Sequence, residues 1–361
     1  MYQIDQLPGR TALIEGEEWL YFSGTAYLGM VQSTDFQAFI TEGLQQYGTH
    51  YGGSRLAAVQ LPLFEEAEAV LAALTGAPGA LIVSSGTVAG QLALSQLLQP
   101  NTRPFFAPRL HPALWPQHYL PTYCTFEAWG QRVLRILQRW SVDKTPLPIP
   151  LLLSDALDSL HARAYDFSWL SELPRDFPIQ IIIDDSHGLG ITGPEGSGIY
   201  GQISVPDNVE LVVVSSLGKA FGIPGGVILG KKERLREIRQ NPHFGGASPV
   251  PPAFLHAFIQ AQDIYTENRQ RLRHNVRLFK EALPEGHTFQ SFDEYPVFYT
   301  PDTGLAAYLE RHHILVSSFP YPTPEDELVT RVVINSLHTE ADVERLAGLI
   351  RSRKSETVRG N

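Results

Sequence analysis

Three short stretches carry side chains that could do chemistry: "SSLGKAFGIPGG" (215–226), "IDDSHG" (183–188) and "SSGTVAG" (84–90). The first sets Lys219 among glycines, directly after the apolar run "VELVVV" and before the strand-like "GGVILG". A lysine at a desolvated strand end can lose its proton more easily and act as a nucleophilic amine. The second closes the run "IQIII" with Asp184, Asp185 and His187. Asp184 and His187 sit three residues apart across a turn, close enough to serve one ligand. Alternation along a strand sends Asp184 and Asp185 to opposite faces, so one meets a crevice and the other is solvated or caps backbone. The third stretch offers Gly86, Thr87 and Val88 at a helix start. There, backbone N–H groups and the positive end of the helix dipole suit a phosphate.

Taken singly, each stretch has an ordinary explanation: a surface lysine, a solvated acid pair, a close-packed turn. Together they match the needs of pyridoxal phosphate. That cofactor requires a lysine for its Schiff base, a carboxylate to keep its ring nitrogen protonated, and an anion site. The glycines around Lys219 let the backbone come close to a bound aldehyde.

The elements that must position these residues read as an α/β fold. "GALIVSSG", "PIPLLLSD", "IQIIIDD", "ELVVVSS" and "GGVILG" are continuous apolar runs separated by helical patterns. Such runs predict a mostly parallel central sheet covered by helices on both faces. Ligands then bind outside the carboxyl ends of the strands, where all three stretches emerge. "LPLFEEAEAVLAALTG" predicts an amphipathic helix stopped by Gly76. Residues 1–50 read as an N-terminal arm, 51–245 as a large cofactor-binding domain and 246–361 as a smaller C-terminal α+β domain. "ASPVPPAFLHAF" opens a long helix there, "TEADVERLAGLI" is a capped helix, and the polar end "RSRKSETVRGN" reads as loose.

At this point the sequence resembles the α-oxoamine synthases, fold-type I pyridoxal phosphate enzymes of the class II aminotransferase superfamily. The resemblance is collinear from "AYLGM" (26–30) through "YGTHYGGSR", "LHPAL", "IDDSHGLGITGPEGSG" and "SSLGKAFGIPGG" to "SPVPPA" and "HTEADVERL". It implies that Lys219 holds the cofactor and acts as the base. It also implies that Asp184 pairs with the ring nitrogen, His187 with the ring hydroxyl, and that His111 stacks on the ring. Ser159 would stand near the ring hydroxyl, and Gly86, Thr87, Val88 and Ser216 would hold the phosphate. Ser248 would reach the phosphate of a neighbouring subunit, implying a homodimer with shared active sites. Thr25 and Arg331 fall at substrate-binding positions, Arg331 as the partner of an amino-acid carboxylate. The implied reaction condenses an amino acid with an acyl-CoA thioester to an α-amino ketone, like 8-amino-7-oxononanoate synthesis. The alternative is another reaction of the same cofactor without CoA: transamination, aldol cleavage or decarboxylation. Three departures bear on that choice: Thr25 replaces an asparagine, His50 a glycine and Phe64 a histidine.

The bulk properties exclude other classes. The 361 residues carry a net charge of −10 with no basic run longer than a pair, which argues against nucleic-acid or anionic-membrane partners. No basic-then-apolar leader or bilayer-length apolar stretch is legible, so a soluble cytoplasmic protein is expected. The lone Cys124 excludes an internal disulfide and is expected to be a small buried residue. The twelve histidines show no metal-ligand spacing, so no metal site is expected.

Overall fold

The computed structural model describes residues 2–143, 148–321 and 323–359. Backbone contacts divide the chain into two compact units. One comprises 35–158 and 164–262, the other 1–34, 159–163 and 263–361.

The first unit is built on a six-stranded sheet. Its order is Gly79–Val83, Gly226–Gly230, Val209–Ser216, Ile179–Asp184, Ile149–Asp155, Thr102–Phe106. The last four are mutually parallel. Gly226–Gly230 runs antiparallel to both of its neighbours, so one of the runs read as a parallel strand points the other way. It can do so because only the loop 217–225 joins it to Val209–Ser216, too short for a helical crossover. Leu151, Leu153, Ile182, Val212 and Val214 are buried in the sheet core, as expected of strands covered on both faces.

Helices seat this sheet. Leu63–Thr75 buries Leu63, Phe64, Ala67 and Leu71 on one face and stops at Gly76, whose φ of 70° is the left-handed conformation that ends a helix. Gly86–Leu97 starts from Ser85, whose Oγ accepts the Val88 N–H. Pro252–Gln260 also packs within this unit, against Leu63–Thr75. The predicted long helix is two helices, Pro252–Gln260 and Gln262–Ala282, separated at Ala261.

The second unit carries a five-stranded sheet of order Thr11–Ile14, Glu17–Phe22, Ile314–Pro320, Leu328–Val333, Val297–Thr300. The first two strands come from the segment read as an arm, and they bury Ala12, Ile14, Leu20 and Phe22. Apolar alternation over so few residues is a weak signal until a partner sheet supplies the other side. The helix Glu340–Arg359 continues through most of the tail read as loose; Gly360 and Asn361 lie outside the described residues. No helix among the described residues is long and apolar enough to cross a membrane. Cys124 is exposed, contrary to the expectation of burial. It lies in an irregular polar segment before the helix Phe126–Asp143, not on an apolar face.

Candidate active site

The carboxyl edge of the six-stranded sheet gathers most of the residues singled out from the sequence. Ser85 and Gly86 leave the first strand in the sheet order, Ser216 and Lys219 the third, Asp184 to His187 the fourth, and Asp155 the fifth. Close backbone approach makes this convergence possible. A Cβ at Gly86 would lie 2.8 Å from Ser216 Cβ, and one at Gly226 only 2.3 Å from the Ser85 carbonyl. Only glycine lets the helix start and the two strand ends meet so tightly.

That helix start is a ready anion site. The N–H groups of Gly86 and Thr87 have no acceptor within their own helix, and the dipole favours negative charge there. The Val88 N–H is already taken by Ser85 Oγ at 3.1 Å. Val88 is therefore not the free donor expected from the sequence; Ser85, a serine directly before a helix and so a capping signal, is the residue that fixes this turn. Ser216 donates its N–H to Ser186 Oγ (2.9 Å), and its own Oγ accepts the Gly218 N–H (3.2 Å). These bonds fold the chain into the turn that presents Lys219. Arg55, Ser84, Val88, Phe244 and Ser248 line a narrow pocket on this unit, with Ser248 itself exposed.

The charges at this edge perturb one another. Burial pushes the Lys219 amine below its usual value, while Asp184, Asp155 and Asp185 pull it back up. Asp184 is 6% exposed; its Oδ1 accepts the Ser186 N–H (2.9 Å). His111 Nδ1 stands 3.7 Å from Asp184 Oδ2 and accepts the Ala113 N–H (3.2 Å). Burial lowers the His111 ring, opposed by Asp184. A neutral ring that accepts at Nδ1 carries its proton on Nε2.

Asp155 was missed from the sequence. It lies opposite Asp184 in the strand register, and its Oδ1 accepts the His111 N–H at 3.2 Å. Burial, with Asp184 next in importance, holds its carboxyl well above the usual range. The signal was present: "PIPLLLSD" ends in an acid at the same sheet edge as "IQIIIDD". Asp185 takes the backbone-capping alternative of the two expected for it. It is 2% exposed, and its Oδ2 accepts the Ile199 N–H (2.7 Å). His187 sits half-buried in the turn after Asp184.

Three predicted residues belong to the other unit: Thr25, Ser159 and Arg331. Arg331 is 7% exposed; its Nη1 donates to the Ser159 carbonyl (2.7 Å), and its guanidinium lies 5.2 Å from the Phe319 ring centre. The Arg331 Nε is buried without a hydrogen-bond partner. Of the three departures, Phe64 is buried beneath the Arg55 guanidinium (4.4 Å), which also binds Glu68 at 2.7 Å. His50 is exposed and accepts the Gly52 N–H through Nδ1 (2.9 Å).

This donor set fits a pyridoxal-type cofactor. It offers an amine whose proton is easily lost, a buried carboxylate beside it, and a glycine cradle that a Cβ would fill. Comparison with known proteins points the same way. The family model described as aminotransferase class I and II matches residues 164–350, just over half of the chain. The 8-amino-7-oxononanoate synthase of Thermosipho melanesiensis is 25% identical over 349 residues, covering 93% of this chain and 88% of that one. A serine palmitoyltransferase from Bacteriovorax stolpii is 22% identical over 352 residues, covering 94% and 83%. The solved serine palmitoyltransferase from S. paucimobilis superposes with a TM-score of 0.80 at 18% identity, covering 98% of this chain and 92% of that one.

Proposed function

The chain belongs to the aminotransferase class I and II family, a family of pyridoxal-phosphate-dependent enzymes, and from that premise we propose that it is an α-oxoamine synthase joining an amino acid to an acyl thioester. The product is an α-amino ketone. The observation that carries this reading is the buried edge where Lys219 stands among Asp184, Asp155 and Asp185. When bound, the cofactor supplies an aldehyde that captures amines and a ring that withdraws electrons from the adjacent carbon.

The chain's own residues take the remaining roles. Asp184 would hold a proton on the ring nitrogen, His187 would pair with the ring hydroxyl with Ser159 near it, and His111 would stack on the ring. Gly86 and Thr87 would receive the phosphate through their N–H groups and Ser216 through its hydroxyl, while Val88, whose N–H caps onto Ser85, would only border it. Lys219, held low by burial, returns to its neutral form readily and takes the proton from the amino acid's α-carbon. Arg331 and Thr25 bind the substrate, Arg331 through its carboxylate. The buried, unpartnered Nε of Arg331 supports this role, because a guanidinium satisfied at every donor would have nothing left to offer. Ser248, exposed on its own chain, is assigned to the phosphate of a second copy, so the working form is a homodimer. The relatives named 8-amino-7-oxononanoate synthase and serine palmitoyltransferase bear names for different products and acyl groups, which favours the reaction type over either substrate.

The test is product analysis with a panel of amino acids and acyl-CoA thioesters. Release of free CoA together with an α-amino ketone, both requiring the amino acid, is expected. Conversion of the amino acid that proceeds equally well without any thioester would replace this reading by transamination, aldol cleavage or decarboxylation.

A further inference from the structure

The second carboxylate of the "DDSHG" turn has no part in the reaction outlined above, yet more of the loop 188–199 is arranged around it than around Asp184. Asp185 donates its N–H to the Val214 carbonyl of the neighbouring strand (2.8 Å), and its own carbonyl accepts from Gly188 (3.1 Å) and Leu189 (2.9 Å). Its side chain reaches forward to the Ile199 N–H (2.7 Å). Backbone closes on the carboxyl from two sides. A Cβ at Gly188 would lie 2.1 Å from Oδ1, and one at Gly198, where φ is +69°, 2.2 Å from Oδ2. The loop so gathered is tied internally by Gly190 N–H to the Gly196 carbonyl (2.8 Å) and Gly198 N–H to the Thr192 carbonyl (3.0 Å). Its far side presses on the lysine loop: a Cβ at Gly190 would meet Ala220 Cβ at 2.6 Å.

We propose that Asp185 is a positioning residue: its carboxyl clamps the loop 188–199 onto the sheet edge, and that loop, through Gly190 and Ala220, holds Lys219 in its desolvated place. Every link lies within one unit of the chain. Gly188 and Gly198 are thereby explained by the carboxyl they enclose, and Gly190 by the methyl it presses on. The inference rests on reading Lys219 as the reacting amine.

Burial pushes Asp185 up to about 8 and Asp184 adds to it, while the Ile199 and Gly188 N–H groups and Lys219 oppose it. The charged groups acting on Asp185 are Asp184 on its own turn and Lys219 on the neighbouring strand's loop, while the 188–199 loop contributes backbone.

The experiment is amine labelling of the full chain after its cofactor is removed with hydroxylamine. Acetic anhydride is used across a pH series, and Lys219 is read by peptide mass. Asp185→Asn keeps an oxygen for Ile199 and removes one of the carboxyls that raise Lys219, so its labelling midpoint stays or falls. Asp185→Ala lets the loop loosen and water in, and raises that midpoint by about one pH unit or more. Should Asp185→Ala not fold, Ala220→Gly, which removes only the methyl under Gly190, is expected to raise the midpoint as well. An unchanged or lowered midpoint in whichever of Asp185→Ala and Ala220→Gly folds, or an Asn variant whose midpoint rises as far as that of Ala, overturns the proposal. A wild-type Lys219 that labels like a surface lysine overturns it together with the reading of the amine. Failure of the thioester condensation alone would leave it standing.

Discussion

The carboxyl edge of the six-stranded sheet and the surroundings of Arg331 both bury charge, but they do so in opposite styles. At the sheet edge, Asp155, Asp184 and Asp185 act on a single amine whose charge state responds to all of them. Around Arg331 the cation is permanent: it donates to the Ser159 carbonyl and lies over Phe319, and no proton need move. The first region is arranged for a change of protonation, the second for holding a group of fixed charge. Catalysis and recognition are therefore expected to fail separately, and mutations can pull them apart.

The sharpest break comes from Lys219→Ala. It is expected to lower turnover by about 10³-fold or more while far-UV circular dichroism stays unchanged, since the side chain ends in no structural bond. A variant that keeps a tenth of wild-type turnover would move the chemistry elsewhere. Asp184→Asn comes next, with a loss of about 10²-fold. Because Asp184 is the largest influence raising the Lys219 amine, the same change lowers the labelling midpoint of Lys219; a rise would contradict the electrostatics described.

On the recognition side, Arg331→Lys keeps the charge and loses the planar fork. Its effect is expected in KM for the amino acid, about tenfold, with kcat nearly untouched. A collapse of kcat instead would place Arg331 in the chemistry. The smallest effect separates the two units by pH. Asp185 in the first unit is raised to about 8 by burial, so between pH 4 and 8 the native state keeps a proton that the unfolded chain loses. Stability then falls as pH rises through that window, and Asp185→Asn flattens the slope. His338 in the second unit is lowered to about 4, mainly by burial. The unfolded chain binds the proton first, so stability is lost as pH falls from about 6.5 to 4, and His338→Gln removes that loss. Each contribution amounts to a few degrees, roughly 5 °C, in Tm. Differential scanning of both variants across pH reads the two signs; matching slopes would erase the contrast.

Much of the sheet edge was legible because its signals are local. An apolar run that ends in "DDSHG" or "SSLGKAFG" states both the strand and what the strand delivers. Asp155 is harder to read because a single acid at a strand end is common in α/β folds, and the nearby Ser159 carbonyl serves Arg331. The direction of Gly226–Gly230 was illegible for a physical reason. A short buried strand has the same apolar run whichever way it points, and only the length of the connecting loop tells them apart. Residues 1–50 misled in a similar way. Thr11–Ile14 and Glu17–Phe22 complete a sheet whose next strand, Ile314–Pro320, comes almost 300 residues later. Pairing at that distance leaves no trace in a short window. The buried state of Phe64, under Arg55 and beside Glu68, was equally invisible, since the cation above it comes from a separate segment.

The central claim, that Lys219 is the amine on which the chemistry turns, is tested most directly by reducing the protein with borohydride and mapping the modified peptide. The account predicts a visible absorbance that borohydride abolishes and a single pyridoxyl adduct on Lys219. A protein that stays colourless and unlabelled after added pyridoxal phosphate, or an adduct confined to another lysine, would contradict it.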